Sequence, residues 1–182
     1  MANPFRDPRV LPQLDGSATA GADCAFRQAQ AAILWVTGTL VGIKAMRSWL
    51  QVPAGGIGMA SVRRLVEHYA PGATVAYTTS TTVVWQGLAL GAYVICAVDY
   101  GWVNDNLPAI SGDHAFRDDH ALGLFGREPV RKRTYTEWHD SLGDNRRANI
   151  PKTNSMVRAR DANGAMASPA HGVQAVIVQR PA

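Results

Sequence analysis

Cys24 opens an apolar, helix-like run in the segment Gly21-Ala22-Asp23-Cys24-Ala25-Phe26-Arg27-Gln28. A thiol on the first turn of a helix faces backbone N–H groups that have no intrahelical acceptor. It also faces the positive end of the peptide dipole, and both favour the reactive thiolate. Asp23 is an N-cap residue type, which places the helix start here. His120 opens an extended run, His120-Ala121-Leu122-Gly123-Leu124-Phe125-Gly126, and Asp140 follows a second extended segment. Thiol catalysis needs a thiolate, a base that manages its proton and a group that fixes the base. Cys24, His120 and Asp140 can fill these roles in that order. If the two extended segments are neighbours, Asp140 can accept the second imidazole N–H of His120 and set its tautomer. An oxyanion hole would use the backbone N–H of Cys24 and one side-chain donor. Gln13 is the only glutamine before Cys24 and lies far upstream.

Each of these residues also has an ordinary structural use. A cysteine can be a small buried hydrophobe, a strand histidine can simply have its hydrogen bonds satisfied, and Asp140 can initiate a turn. The order and setting of the three give them weight together. His114 competes with His120, since alanine follows both, but His114 sits in a polar loop and His120 leads an apolar alternation. Asp113, His114, Asp118, Asp119, His120 and His139 are the residue types of a zinc site, but they have no recognised ligand spacing, and the reading is one without metal or cofactor. Cys96 lies within Ala92-Tyr93-Val94-Ile95-Cys96-Ala97-Val98, which reads as a buried strand with a structural thiol.

The elements that must position these residues follow from hydrophobic period and breakers. Residues 1–20, rich in Pro, Gly and small polar residues, read as an extended arm, and 21–182 as one domain. Helical spacing predicts helices over 24–36, 43–50 and 81–90, and a fourth, third in chain order, from a Ser61 cap to His68 or Tyr69, closed by Pro71-Gly72. Period-two or apolar runs predict strands at 73–78, 92–99, 120–125, 131–138 and 172–179. Residues 100–119 and 145–154 read as loops, and 155–165 as weakly helical or irregular. Helices first and strands second indicate an α+β arrangement.

The chain has 182 residues, 47% of them hydrophobic, enough for a core and against global disorder. Two cysteines do not make a disulfide framework. The amino terminus carries no apolar signal region, and the apolar stretch from Leu88 to Val98 is too short to span a bilayer, so synthesis in a cytoplasm is expected. The net charge is +4, and nine Arg/Lys against five Asp/Glu between Arg127 and Asp161 account for that excess. Arg131-Lys132-Arg133 and Arg146-Arg147 dominate it. Without interleaved stacking aromatics this reads as a solvated face or a contact for an acidic partner, and not as a nucleic-acid site.

Several short motifs carry a resemblance. They are Asp23-Cys24, Gly55-Gly56, Val98-Asp99-Tyr100, Asp119-His120-Ala121 and Asp140-Ser141-Leu142-Gly143-Asp144-Asn145-Arg146-Arg147. Over about Asp23 to Pro151 the chain resembles papain-like cysteine peptidase domains encoded by phages of actinobacteria, which are distantly similar to bacteriocin-processing double-glycine peptidases. The resemblance implies a papain-like fold with N-terminal helices on an antiparallel sheet, Cys24 as nucleophile, His120 as base and Asp140 as orienter. It implies a peptide or peptidoglycan substrate, a virion or tail setting, and contacts with other virion proteins through the termini. Ser141 and Asn145 stand where the pattern has Pro and Gly, Phe26-Arg27 is bulkier than the usual small residues, and no oxyanion glutamine is evident. The alternative reading is a structural virion protein that keeps the fold without the chemistry. A transglutaminase-like acyl transfer through the same Cys–His pair is a third.

Overall fold

In chain order the elements are α1 (Cys24–Thr37), α2 (Ile43–Leu50), α3 (Met59–Tyr69), β1 (Thr74–Thr78), α4 (Thr81–Ala89), β2 (Tyr93–Asp99), α5 (Tyr100–Asn106), β3 (Asp119–Val130), β4 (Arg133–His139), β5 (Asn154–Arg158), α6 (Ala159–Ala167) and β6 (Ala175–Gln179). The computed structural model describes residues 18–111, 113, 115–130, 133–142 and 154–181, the side chains of 128–130, 154 and 155 excepted. Gln13, His114, Arg131, Lys132 and the Gly143 to Arg147 part of the resemblance lie outside the described residues.

Six strands form one antiparallel sheet in the order β1-β6-β2-β3-β4-β5. The continuous apolar run of β2 has a direct cause, since both faces of the strand are covered. Tyr93 and Ile95 face a core built with Phe26, Ile33, Trp35, Leu65 and Val66 of α1 and α3. Val94, Cys96 and Val98 face the opposite core with Leu122, Leu124, Trp138, Ala162 and Met166. A strand buried on both faces loses the polar alternation of a half-exposed one.

Helix α1 is the hub of the first core. Every residue from Ala25 to Trp35 is buried, so the helix shows little amphipathic stripe. Gly38 ends it in the left-handed region at φ 74°, its N–H bonded to the Leu34 carbonyl. Gln28, one turn past Cys24, ties α1 to the sheet: its amide donates to the His139 carbonyl at 3.0 Å and it accepts the Tyr93 hydroxyl at 2.5 Å. The helix start is thereby set against the end of β4.

Four expectations differ from the structure. Helix α3 begins at Met59 behind an extended Gly58, and Ser61 lies inside it, because buried Met59 is already anchored in the core. The segment expected as a loop from residue 100 starts with α5, where the Asp99 carboxylate accepts the Trp102 N–H. Residues 155–165 divide into strand β5 and helix α6, whose Ala162, Ala165 and Met166 are buried. Asp23 precedes α1 but makes no side-chain cap, since its carboxylate is drawn to Arg47. Among the described residues no helix is long and apolar enough to cross a membrane.

Gly123 sits where β3 passes under the Tyr93 ring. A Cβ there would overlap that ring and come 2.7 Å from Gln28 Oε1. Gly123→Ala is therefore expected to destabilise the fold by about 1–3 kcal/mol, measured by denaturant unfolding. A change within about 0.5 kcal/mol would mean that the Tyr93–Gln28 contact does not lock α1 to the sheet.

Candidate active site

Antiparallel pairing decides which side chains meet. β3 runs away from His120 and β4 returns towards Asp140, with Gly123 opposite His139. His120, near the start of β3, and Asp140, just past the end of β4, thus emerge at the same edge of the sheet. His120 Nε2 lies 2.9 Å from Asp140 Oδ1, and both residues are buried. The Asp140 carboxylate also accepts the Leu142 N–H at 2.8 Å and, through its other oxygen, the Tyr100 hydroxyl. With three donors on it, Asp140 is held in one orientation. The Tyr100 and Phe116 rings meet the His120 ring edge-on, at centroid distances of 4.9 and 5.7 Å.

Because Nε2 is committed to Asp140, the tautomer leaves Nδ1 for the other side of the ring. Nδ1 is buried and is the ring atom left for the thiol. Cys24 is half-buried at the start of α1. Burial opposes its thiolate, but the His120 charge, a hydrogen bond from His120, and the backbone N–H groups of Ala121 and Ala25 outweigh it and hold the thiol below its usual range. The reciprocal effect acts on His120. Burial disfavours its charge, yet the Cys24 thiolate and Asp140 raise it to about 10. The two shifts act together, each favouring the thiolate–imidazolium pair over a neutral thiol and a neutral ring. Cys96 has no such partner, and burial alone pushes its thiol up to about 12.

A cleft of about 460 Å³ opens over this pair. Gly56, Ile57 and Gly58 form its wall on the loop side, and Ala97, Asp119 and Ala121 line it from β2 and β3, with Gln174 beside them. A larger groove of about 730 Å³ runs past Leu40, Ile43 and Val52 but touches none of Cys24, His120 and Asp140, so size does not locate the chemistry here. As the first residue of α1, Cys24 offers the cleft a backbone N–H with no intrahelical acceptor. Among the described residues no group of three or more His, Cys, Asp or Glu could hold a metal ion.

The chain matches no known family model and no curated protein. Solved structures do match it. A protein of Bacillus anthracis described as a C39-like peptidase aligns over 97% of this chain and 96% of its own, with a TM-score of 0.64 and 12% identity. The fold is papain-like. UfSP from C. elegans aligns over 95% of this chain with a TM-score of 0.55 and 11% identity, and the chain spans 32% of that protein. At such identities the likeness carries the papain-like fold alone. The side-chain geometry at the sheet edge is this chain's own.

Sequence reasoning missed three residues that support this papain-like arrangement. Tyr100 was visible in Asp99-Tyr100, but nothing local says that its hydroxyl reaches Asp140. Gln28 lies on the buried side of α1, where a polar residue signals a required partner. Arg47 sits on a short helix with no motif around it. Iodoacetamide at neutral pH is expected to label Cys24 at least about tenfold faster than Cys96, read by peptide mass mapping. Equal rates would contradict the thiolate assigned to Cys24.

Proposed function

We propose that this chain is a thiol hydrolase that cleaves a peptide or amide bond, with Cys24 as nucleophile, His120 as acid and base, and Asp140 as the group that orients His120. The observation that carries the reading is that Cys24 and His120 line one cleft open to solvent, where the His120 charge favours the thiolate, while Asp140 holds the far side of the His120 ring at 2.9 Å. The papain-like fold supports it.

The steps follow from the protonation states. The thiolate attacks the substrate carbonyl carbon, and the oxyanion that develops meets the free N–H of Cys24. His120 Nδ1–H gives its proton to the leaving nitrogen as the C–N bond breaks, leaving a thioester on Cys24 and a neutral imidazole. Nδ1 then takes a proton from water as the water oxygen attacks the thioester. The C–S bond breaks, the carboxylic acid leaves and loses its proton to solvent, and the thiolate–imidazolium pair returns. An amine in place of water would make the reaction an acyl transfer, which product mass distinguishes.

The virion or tail setting belongs to the same proposal and is supported by the sequence motifs alone. With it, the substrate is a bond in cell-wall peptidoglycan or in a virion precursor, and the chain, synthesised in a host cytoplasm, meets other virion proteins through its termini. The competing reading, a structural virion protein without chemistry, requires that the purified chain show no Cys24-dependent turnover on peptide or peptidoglycan fragments.

Cys24→Ala is expected to fold and to lose hydrolysis by at least about 1,000-fold, followed by release of new amino termini from a peptide mixture. Wild-type kcat/KM should trace a bell in pH. Its acid limb lies below the ordinary thiol range, since ionisation of Cys24 creates the nucleophile. Its alkaline limb lies near about 10, where His120 loses its proton. Asp140→Asn removes a carboxylate that favours the charged ring, so the alkaline limb should move to lower pH. Hydrolysis that survives in Cys24→Ala ends this reading.

A further inference from the structure

Resting on that reading, we propose that Arg47 is a positioning residue that holds the loop leading into the Gly56–Gly58 wall against the helix start that carries Cys24, and so governs the docking of an extended peptide in the cleft. Arg47 lies on α2 and is buried, at 6% exposure. Its guanidinium is shared between two places. Nε and Nη2 donate to Asp23 Oδ1 at 3.1 and 2.5 Å, gripping the residue next to the nucleophile. Nη1 donates to the carbonyls of Val52 and Gly55 at 3.3 and 3.0 Å, gripping the loop that runs on into the Gly56–Gly58 wall. The Phe26 ring lies under the guanidinium, 4.3 Å from centroid to Cζ, and fixes its plane.

That loop is otherwise held by the Val52 N–H on the Arg47 carbonyl at 3.0 Å and by Ile57 packed against the first core. Residues 52–58 form no helix or strand. Gly55 turns in the left-handed region at φ +80°, and Gly56 passes close enough to the turn before α1 that a Cβ on it would lie 3.9 Å from the Ala22 carbonyl. Beyond it Gly58 is extended, with φ −80° and ψ 169°, as the cap of α3. The helix start at Asp23-Cys24 and this extended wall both border the cleft. Arg47 bonds to Asp23 on one side and to Val52 and Gly55, the residues that lead into the wall, on the other. A buried ion pair is a poor stabiliser by itself, because desolvation offsets most of its Coulomb gain. What the fork adds is geometry: planar donors in fixed directions reach a carboxylate and two carbonyls at once, which a lysine ammonium cannot match. Asp23 forgoes its role as N-cap for this contact, and Thr19 Oγ1 donates to its second oxygen.

The test compares two alkylating probes on Cys24. Iodoacetamide needs only the thiolate, and a dialanyl chloromethyl ketone must also lie along the cleft. In folded Arg47→Met, verified by cooperative melting, reaction with the dialanyl probe should slow by about tenfold or more while iodoacetamide stays within about twofold of wild type. Arg47→Lys, which keeps the charge beside Asp23 but not the fork, should fall between the two, and it carries the test if the methionine variant does not fold. Equal slowing of both probes would assign Arg47 to the thiolate or to the fold at large. Unchanged rates with both would remove it from the cleft altogether. Either outcome overturns the proposal while leaving the hydrolase reading intact. Failure of the hydrolase reading shows separately, as turnover that does not depend on Cys24.

Discussion

One imidazole with two obligations governs this molecule. His120 is buried, and a buried ring carries a charge only if something nearby compensates it. Asp140 does so on the Nε2 side and the Cys24 thiolate on the other. Remove either, and burial favours the neutral ring, the proton has no reason to leave the sulfur, and the site becomes an inert contact between a helix and a sheet. The site is therefore cooperative. Each charge exists because the next one does, and the chain of dependence ends at Tyr100 and the Leu142 N–H, neutral donors that hold Asp140 in place.

The fold serves that dependence by rigidity. A sheet covered on both faces by helices leaves its strands little freedom to slide, and antiparallel pairing of β3 and β4 brings His120 and the turn that carries Asp140 to one end of the strand pair. The nucleophile arrives from a different element, so α1 must be registered independently. Gln28 does this through the His139 carbonyl and the Tyr93 hydroxyl, hydrogen bonds that are costly to break inside a core because no water replaces them. Arg47 registers the same helix start against the opposite wall of the cleft. Helix, sheet edge and glycine loop are thus tied to one another by three buried polar side chains, Gln28, Asp140 and Arg47.

How much of this was legible in the chain follows from what kind of information each feature needs. The start of α1 could be read because Cys24 stands at a sharp change from small polar residues to an apolar run, and His120 because an alternation begins with it. β2 was legible as a buried strand for the same local reason. Helix α5 was not, since Gly101, Asn104 and Asn106 are poor helix formers, and the segment is helical because Asp99 caps it and Tyr100 and Val103 are buried. β5 and α6 abut with no breaker between Arg158 and Ala159, so the sequence showed a blur where the structure shows two elements. Asp23 has an N-cap residue type and follows a different rule, because a buried arginine from α2 outbids backbone N–H groups for its carboxylate. Such long-range partnerships, Arg47 with Asp23 and Tyr100 with Asp140, have no local signature.

The claim on which the account rests is that the Cys24 sulfur is ionised because His120 is charged. Thiolate absorbance in the ultraviolet, followed against pH in the wild type and in His120→Ala with Cys24→Ala as the blank, measures this directly. The account predicts a thiolate that persists to pH below the ordinary thiol range in the wild type and a titration displaced upward when the imidazole is removed. An ordinary or higher titration in the wild type, or one indifferent to the loss of His120, would contradict it.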